Sequence, residues 1–414
     1  MKNYIFILFS VLIGLTFSCS KNDTPGDPGV GNPLQIELAE GSDLVLESMN
    51  EFGLDMFRLL TEDEEPGTNI FISPTSISLA LAMTLNGANT TTEDSMAYAM
   101  RVDHLTADQI NETYRDLIDA LTTCDDKVIL EIANSIWYRM GYPVLPEFLD
   151  INNNYYNAEV RALDFGSPEA LDIINGWVAD QTDDKIEKII DEIDPAHIMF
   201  LINAIYFKGI WSVEFKKENT HDGIFHLHNG SEKTVKMMNQ EADLGYFEND
   251  LFQACEMDYG RGNFSMLVLL PKENIDLESF TDELTNSNWD SWTTSITQHK
   301  VNITLPKFTF KYDKELNEIL SLMGMRIAFG YQADFSGING IGGLYIDYVK
   351  HSTFVEVNEE GTEAAAATVV AIREFAVADG PVYMVVNRPF IFAIREKTTN
   401  TIVFLGKVAE PKLE

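Results

Sequence analysis

Residues 362–373 combine two opposite conformational preferences within one short segment. Four consecutive alanines, Ala364–Ala367, favour a helix, whereas the run Val369–Ile372 favours a strand. Side chains alternate between the two faces of a strand. One face would then be small or apolar throughout: Thr362, Ala364, Ala366, Thr368, Val370 and Ile372. Both charged residues, Glu363 and Arg373, fall on the opposite face. The segment is therefore suited to enter a sheet with one face buried, a pattern that a flexible alanine-rich loop does not require.

The body of the chain has the pattern of one large domain. From residue 41 onward the sequence contains no second linker, no low-complexity tract and no internal repeat, so residues 41–414 are expected to fold together. Apolar residues recur at steps of three or four in residues 43–60, which predicts an amphipathic helix. Residues 106–122 and 168–190 are further helical candidates.

A second helix has clear start and stop signals. Ser73 can cap its first turn, Pro74 suits its first position, and Gly87 suits its end. Its segment is apolar nearly all round, which predicts a buried helix.

Strand patterns dominate the second half. Ser265–Leu270 is a short apolar run, and apolar residues alternate with polar ones through Val301–Phe310. Pro389–Ile394 and Thr401–Leu405 lie on either side of the polar turn Lys397–Asn400, which predicts a hairpin. Helices first and antiparallel strands later favour the α+β class.

The composition excludes several classes of function. Asp and Glu number 65 against 29 Lys and Arg, a formal net charge of −36, so phosphate backbones repel this chain and no nucleic-acid partner is expected. No phosphate-binding, hydrolase or zinc-protease motif is present. His226 and His228 could share a strand face, but two imidazoles without a third ligand make a poor metal site, so a solvated strand face is expected there. We therefore expect no enzyme, no metal and no cofactor. Cys124 and Cys255 leave two alternatives open, a disulfide in an oxidising compartment or two buried free thiols.

The N-terminal residues have the form of an export signal. Lys2 precedes the apolar run Tyr4–Phe17, which is too short to span a bilayer comfortably. Cys19 follows directly after Ser18, an arrangement that resembles the bacterial lipoprotein signal. We expect removal of residues 1–18, lipidation of Cys19, and a flexible Pro- and Gly-rich linker over residues 19–40. The expected location is a bacterial envelope, lipid-anchored in the outer membrane and either periplasmic or surface-exposed. The alternative is an ordinary signal peptide and secretion.

Six ordered motifs resemble the serpin family of serine protease inhibitors. The hinge signature is Glu359-Glu360-Gly361-Thr362-Glu363-Ala364-Ala365-Ala366-Ala367-Thr368. The other five lie at residues 71–77, 203–211, 333–338, 387–390 and 404–408.

This resemblance implies a serpin fold with three β-sheets, about nine helices and an exposed reactive loop. It also implies a suicide-substrate inhibitor of chymotrypsin- or elastase-like serine proteases, with cysteine proteases as further targets. The protease serine would attack the loop and form an acyl-enzyme with it. The cut loop would then insert into the main sheet as an extra strand. The expected partner is thus a covalently bound protease, the inhibitor is a monomer, and it meets the membrane only through its lipid. The alternative is a non-inhibitory serpin acting as a binding module or as a protease substrate.

The resemblance assigns three sets of residues. The hinge comprises Glu359, Gly361, Thr362, Ala364, Ala366 and Thr368. The sheet-opening cluster comprises Ser73, Ser76, Asn203 and His351. The breach, where insertion begins, comprises Trp211 and Lys307, with Lys307 expected to pair with Glu359.

The resemblance also places the scissile bond. Counting the family's usual length from Glu359 ends at Phe375, so Phe375-Ala376 is the expected reactive bond, with Phe375 filling a hydrophobic specificity pocket. Arg373 is the second choice, which would direct the inhibitor to trypsin-like enzymes and shorten the insertable strand by two residues.

Overall fold

The computed structural model describes residues 33–362 and 380–413. In these ranges the chain forms ten α-helices and fifteen strands. The helices are α1 (Ser42–Asp63), α2 (Pro74–Leu85), α3 (Thr90–Ala99), α4 (Ala107–Thr123), α5 (Pro146–Tyr156), α6 (Glu169–Gln181), α7 (Leu277–Thr281), α8 (Asn286–Thr294), α9 (Asn317–Leu320) and α10 (Ser336–Asn339). The strands are β1 (Ile70–Ile72), β2 (Val128–Arg139), β3 (Glu159–Leu163), β4 (Met199–Ile210), β5 (His221–His226), β6 (Glu232–Glu248), β7 (Phe252–Asp258), β8 (Phe264–Pro271), β9 (Thr297–Pro306), β10 (Phe308–Glu315), β11 (Lys350–Val357), β12 (Gly361–Thr362), β13 (Val382–Val385), β14 (Phe390–Glu396) and β15 (Thr401–Val408).

The described strands form two hydrogen-bonded sheets. The six-stranded sheet, here called the main sheet, has the order β10-β11-β12-β4-β2-β3. All its neighbours are antiparallel except β2 and β3. The nine-stranded sheet has the order β1-β15-β14-β8-β7-β6-β9-β13, with β5 beside β6.

The expected α+β class is confirmed, with ten α-helices in the described residues where about nine were expected. The sheet count differs, because two hydrogen-bonded sheets replace the expected three in the described residues. The cause is β6, whose 17 residues pair with β5 and β9 along most of its length and with β7 at its end. One continuous strand therefore joins two units that would otherwise be separate sheets.

Most local predictions are confirmed. Helix α1 covers residues 43–60, α4 covers the range predicted at 106–122 except its N-cap Thr106, and α2 begins at Pro74. Ser73 caps α2, since its Oγ accepts a hydrogen bond from the Ser76 amide at 3.1 Å. The predicted strands and the β14–β15 hairpin are present.

The helix predicted over 168–190 is wrong in its second half. Helix α6 ends at Gln181, and Asp183 and Asp184 adopt positive φ angles of 49° and 60° that a helix cannot contain. The apolar pattern beyond Gln181 comes from Ile186, Ile189 and Ile190. These side chains are buried, but the backbone that carries them is not helical.

Cys124 and Cys255 are both buried free thiols. Burial raises the pKa of Cys124 to about 12 and raises that of Cys255 as well, so both stay protonated. Among the residues that the structure describes, no helix combines the length and the apolar character needed to cross a membrane.

Candidate functional site

The short strand β12 lies between two longer strands of the main sheet. Thr362 pairs with Val357 of β11 on one side and with Gly209 of β4 on the other, and both pairings are antiparallel. The chain reverses direction between β11 and β12 through a turn in which Asn358 Oδ1 accepts the Glu360 amide at 2.9 Å. Because β12 runs antiparallel to both neighbours from their C-terminal ends, it points towards their N-terminal ends.

Glycine is the residue type that fits position 361, at the start of β12. Its φ angle is +153°, which side chains rarely adopt, and an added Cβ would lie 2.8 Å from the Ile210 Cα and clash with the Gly209 carbonyl oxygen. The glycine of the hinge signature therefore lets the chain pass close against β4.

Thr362 faces the core. It is only 3% exposed, and its hydroxyl lies 2.7 Å from the hydroxyl of Tyr259. The Tyr259 ring stacks on Trp211, with centroids 4.3 Å apart. Burial raises the pKa of Tyr259, so the phenol stays neutral. Thr362 thus occupies the buried face that the alternation of residues 362–372 predicts for it.

Three hydrogen bonds to backbone carbonyls hold the turn before β12 against the end of β4 and the residues after it. Trp211 donates from its amide to the Glu360 carbonyl at 2.9 Å and from Nε1 to the Asn358 carbonyl at 3.0 Å. The Phe215 amide donates to the Glu359 carbonyl at 3.0 Å. Trp211 therefore lies where the gap between β4 and β11 begins.

Glu359 forms the ion pair expected with Lys307, at 2.7 Å, and also accepts a hydrogen bond from Thr220 Oγ1 at 2.8 Å. Its side chain is only 7% exposed, so this is a partly buried pair and not a surface one. Burial opposes ionisation of Glu359, but the hydrogen bonds from Lys307 and Thr220 outweigh burial and hold its pKa below the usual range. The charged carboxylate anchors the turn from which β12 departs.

A cavity of about 780 Å³ lies further along the main sheet. Its walls include the first residues of β4, Met199–Asn203, and the segment Gly343–His351 that leads into β11. In the described part of the chain no backbone pairing joins β4 directly to β11, because each pairs with β12 instead. The direction of β12 therefore leads along this gap to the cavity.

The structure brings most of the sheet-opening cluster together at the inner end of the cavity. Ser76, Asn203 and His351 line it, and Ser73 lies directly behind. The Ser73 amide donates to His351 Nε2 at 3.0 Å, and Ser73 Oγ donates to the Val403 carbonyl at 2.7 Å. Burial lowers the pKa of His351 to about 3, so its imidazole is neutral with the proton on Nδ1.

Asn203 forms its side-chain hydrogen bond with the neighbouring strand β2. Its Nδ2 donates to Asn134 Oδ1 at 2.7 Å, while its own Oδ1 is buried without a hydrogen-bond partner among the described residues. A buried acceptor of this kind is costly to leave unpaired.

Several residues named from the sequence lie outside the described ranges. They are Cys19, Ala364, Ala366, Thr368, Arg373, Phe375 and Ala376. Conversely, sequence reasoning missed Tyr259, Thr220 and Asn358. Tyr259 is 103 residues from Thr362 in sequence, and no local pattern could reveal that contact.

The chain is thus an α+β protein whose main sheet holds the short strand β12 between β4 and β11. The family model described as "Serpin (serine protease inhibitor)" matches residues 47–411, and the chain belongs to the serpin family.

Relatives of known sequence and structure agree with this. The leukocyte elastase inhibitor of Sus scrofa is 39% identical over 372 residues, covering 87% of this chain and 97% of that protein. The thermophilic serpin tengpin in its native state superposes with a TM-score of 0.81 at 33% identity, covering 92% of this chain and 97% of tengpin. Human thyroxine-binding globulin in complex with thyroxine also has a TM-score of 0.81, at 28% identity, covering 90% of this chain and all of that one.

Proposed function

We propose that this chain is a suicide-substrate inhibitor of serine proteases and not an enzyme. The observation that carries the proposal is β12, which already pairs on both sides and points along the gap towards the cavity. If the strand continued in this register, residue 368 would lie opposite both Asn203 and His351. The hydroxyl of Thr368 could then serve the unpaired Asn203 Oδ1.

The chemistry proposed is an interrupted proteolysis. The protease serine Oγ attacks the carbonyl carbon of Phe375, the bond to the nitrogen of Ala376 breaks, and the new amino group leaves with a proton. Phe375 remains bound to the protease as an ester. The freed strand then inserts between β4 and β11, and the fourteen residues from Thr362 to Phe375, thirteen steps of about 3.3 Å, carry the protease about 40 Å. Distortion of the protease stops hydrolysis of the ester.

Stored free energy drives this step. Each inserted residue exchanges water for backbone partners on β4 or β11, and each net hydrogen bond contributes about 1 kcal/mol. The small inward side chains of the segment can be buried at little steric cost. The uncut protein is therefore kinetically stable, because the intact loop keeps its segment from inserting.

Incubation with chymotrypsin should give a covalent complex that survives SDS, together with a released C-terminal peptide. We expect this peptide to begin at Ala376, because the reactive bond is assigned to Phe375-Ala376. Mass spectrometry of the peptide is the measurement, with catalytically inactivated chymotrypsin as the control that should give neither product.

The same experiment separates the alternatives. A peptide beginning at Glu374 moves the reactive residue to Arg373, and trypsin should then form the complex more efficiently. A second candidate function is that of a non-inhibitory binding module, and the observation that supports it is the structural similarity to thyroxine-binding globulin. Complete cleavage without any SDS-stable complex, tested with chymotrypsin, elastase and trypsin, would contradict inhibition and favour that candidate or a simple substrate.

We further propose that the inhibitor is a bacterial lipoprotein tethered through Cys19 and acting as a monomer against proteases that reach the cell envelope. The motif Ser18-Cys19 after an apolar run and the Pro- and Gly-rich segment after it support this placement.

The Cys19→Ser variant should move from the detergent phase to the aqueous phase in a Triton X-114 partition, because the acyl chains are lost. Cys124→Ser is the matched control and should partition like the wild type, since that thiol is buried. Detergent-phase partition of Cys19→Ser would contradict the anchor. Digestion of intact cells with proteinase K distinguishes a surface-exposed from a periplasmic location, since a periplasmic protein stays protected.

A further inference from the structure

Two side-chain pairs join opposite walls of the cavity at its far end. His197 Nε2 lies 2.9 Å from Asp347 Oδ2, and Lys350 Nζ lies 2.8 Å from Asp191 Oδ2. Asp191 and His197 precede β4, whereas Asp347 precedes β11 and Lys350 is the first residue of β11. We call these two contacts the cross-cavity pairs.

The β4 side of the pairs is held in place by its own turn. His197 Nδ1 accepts the Asp194 amide at 3.0 Å, which places the ring proton on Nε2, facing Asp347. Arg139, the last residue of β2, donates from Nη1 to the Pro195 carbonyl at 2.8 Å. The His197 ring is therefore fixed to the β2–β4 half of the main sheet.

The β11 side is fixed to a different part of the molecule. Asn317 of α9 donates from Nδ2 to the Asp347 carbonyl at 2.7 Å and accepts the Val349 amide at 2.8 Å. Hydrogen bonds from Lys188 and Lys350 lower the pKa of Asp191 to about 2, which keeps the second pair ionic. The cross-cavity pairs thus connect two separately anchored halves of the main sheet.

The register of β12 places these pairs on the path of an inserting strand. Counted residue by residue from Thr362, Asp347 lies opposite position 372 and His197 opposite position 374. A strand that ends at Phe375 must pass between them. We propose that the cross-cavity pairs retard the last step of strand insertion, the entry of residues 372–375. They would thereby act as positioning residues, because slower insertion gives the protease more time to hydrolyse the ester and dissociate. This proposal rests on the proposed inhibitory function.

The first test needs no protease. Hydrogen exchange is measured by mass spectrometry on uncut wild-type protein and on the Asp347→Ala, Lys350→Ala and doubly substituted proteins. We expect amides of residues 199–203 and 349–353 to exchange roughly tenfold faster in the double variant, because two partly exposed pairs are lost. Exchange in β7 and β8 should not change, which also verifies that the variant is folded.

Matched controls come from the same segment. Glu192→Ala removes a neighbouring exposed carboxylate that forms no hydrogen bond or ion pair within the described residues. Lys188→Ala removes only the same-side partner of Asp191. Both should exchange like the wild type. Asp347→Asn keeps an oxygen acceptor for His197, so we expect slower amide exchange near that pair than in Asp347→Ala.

The second test measures how many inhibitor molecules are cut per chymotrypsin complex formed. We expect this number to fall in the double variant, since faster completion leaves less time for hydrolysis. Unchanged exchange in the double variant overturns the proposal whether or not the protein inhibits. Faster exchange with an unchanged ratio overturns the effect on insertion. Faster exchange with no complex from any protease would show that the pairs hold the two halves of the main sheet together. That result would contradict the inhibitory function instead.

Discussion

Cleavage at Phe375-Ala376 should raise the melting temperature of the protein by about 20 °C. The freed segment gains roughly ten net backbone hydrogen bonds to β4 and β11, worth on the order of 10 kcal/mol. At roughly 2 °C per kcal/mol for a domain of this size, the shift follows. Differential scanning calorimetry before and after limited proteolysis measures it directly.

Two features of the uncut structure explain why the gain is available. Among the described residues, Gly361 and Thr362 alone lie between β4 and β11, and a cavity of about 780 Å³ lies ahead of them. A preparation nicked elsewhere, in the exposed turn at Asn229 and Gly230 between β5 and β6, is the control and should not gain stability. Equal melting temperatures for uncut and loop-cut protein would exclude insertion of the strand.

Features with a local cause were predictable from the sequence. The cap at Ser73, the amphipathic pattern of α1 and the terminal hairpin each depend on residues within a few positions of one another, and each is present. Strand β2 was not predicted, because its alternation of buried and exposed residues is lost in its second half, where both faces are covered. The end of α6 was missed because the apolar pattern continues beyond the helix.

The candidate site was predictable only through its motifs. The pairing of Lys307 with Glu359 followed from the resemblance, but its burial and the additional contact from Thr220 depend on how three distant segments meet. The orientation of Asn203 towards Asn134 depends on the register of β2 against β4, which no sequence pattern specifies. Tyr259 reaches Thr362 for the same reason.

Replacing Thr362 by arginine should convert the inhibitor into a substrate. Thr362 is 3% exposed and its hydroxyl contacts that of Tyr259, so a guanidinium there would be buried without a carboxylate partner. In the uncut variant the two-residue strand β12 can withdraw from the sheet and leave the guanidinium in water, whereas full insertion of the segment forces it into the core. Leaving such a charge buried and unpaired costs about 3 kcal/mol or more. Since 1.4 kcal/mol is a factor of ten, the yield of complex relative to cleaved inhibitor should fall at least about 100-fold when measured by SDS gels of chymotrypsin reactions.

Two smaller substitutions separate charge burial from loss of the hydrogen bond. Thr362→Ser keeps the hydroxyl that meets Tyr259 at 2.7 Å and should inhibit like the wild type. Thr362→Val keeps the shape but leaves the phenol without this partner, at a cost of about 1–2 kcal/mol, so a modest loss is expected. If the arginine variant still formed complex as efficiently as the wild type, the face assignment of the whole segment would be wrong. The alternation that begins at Thr362 would then not describe the strand that enters the sheet.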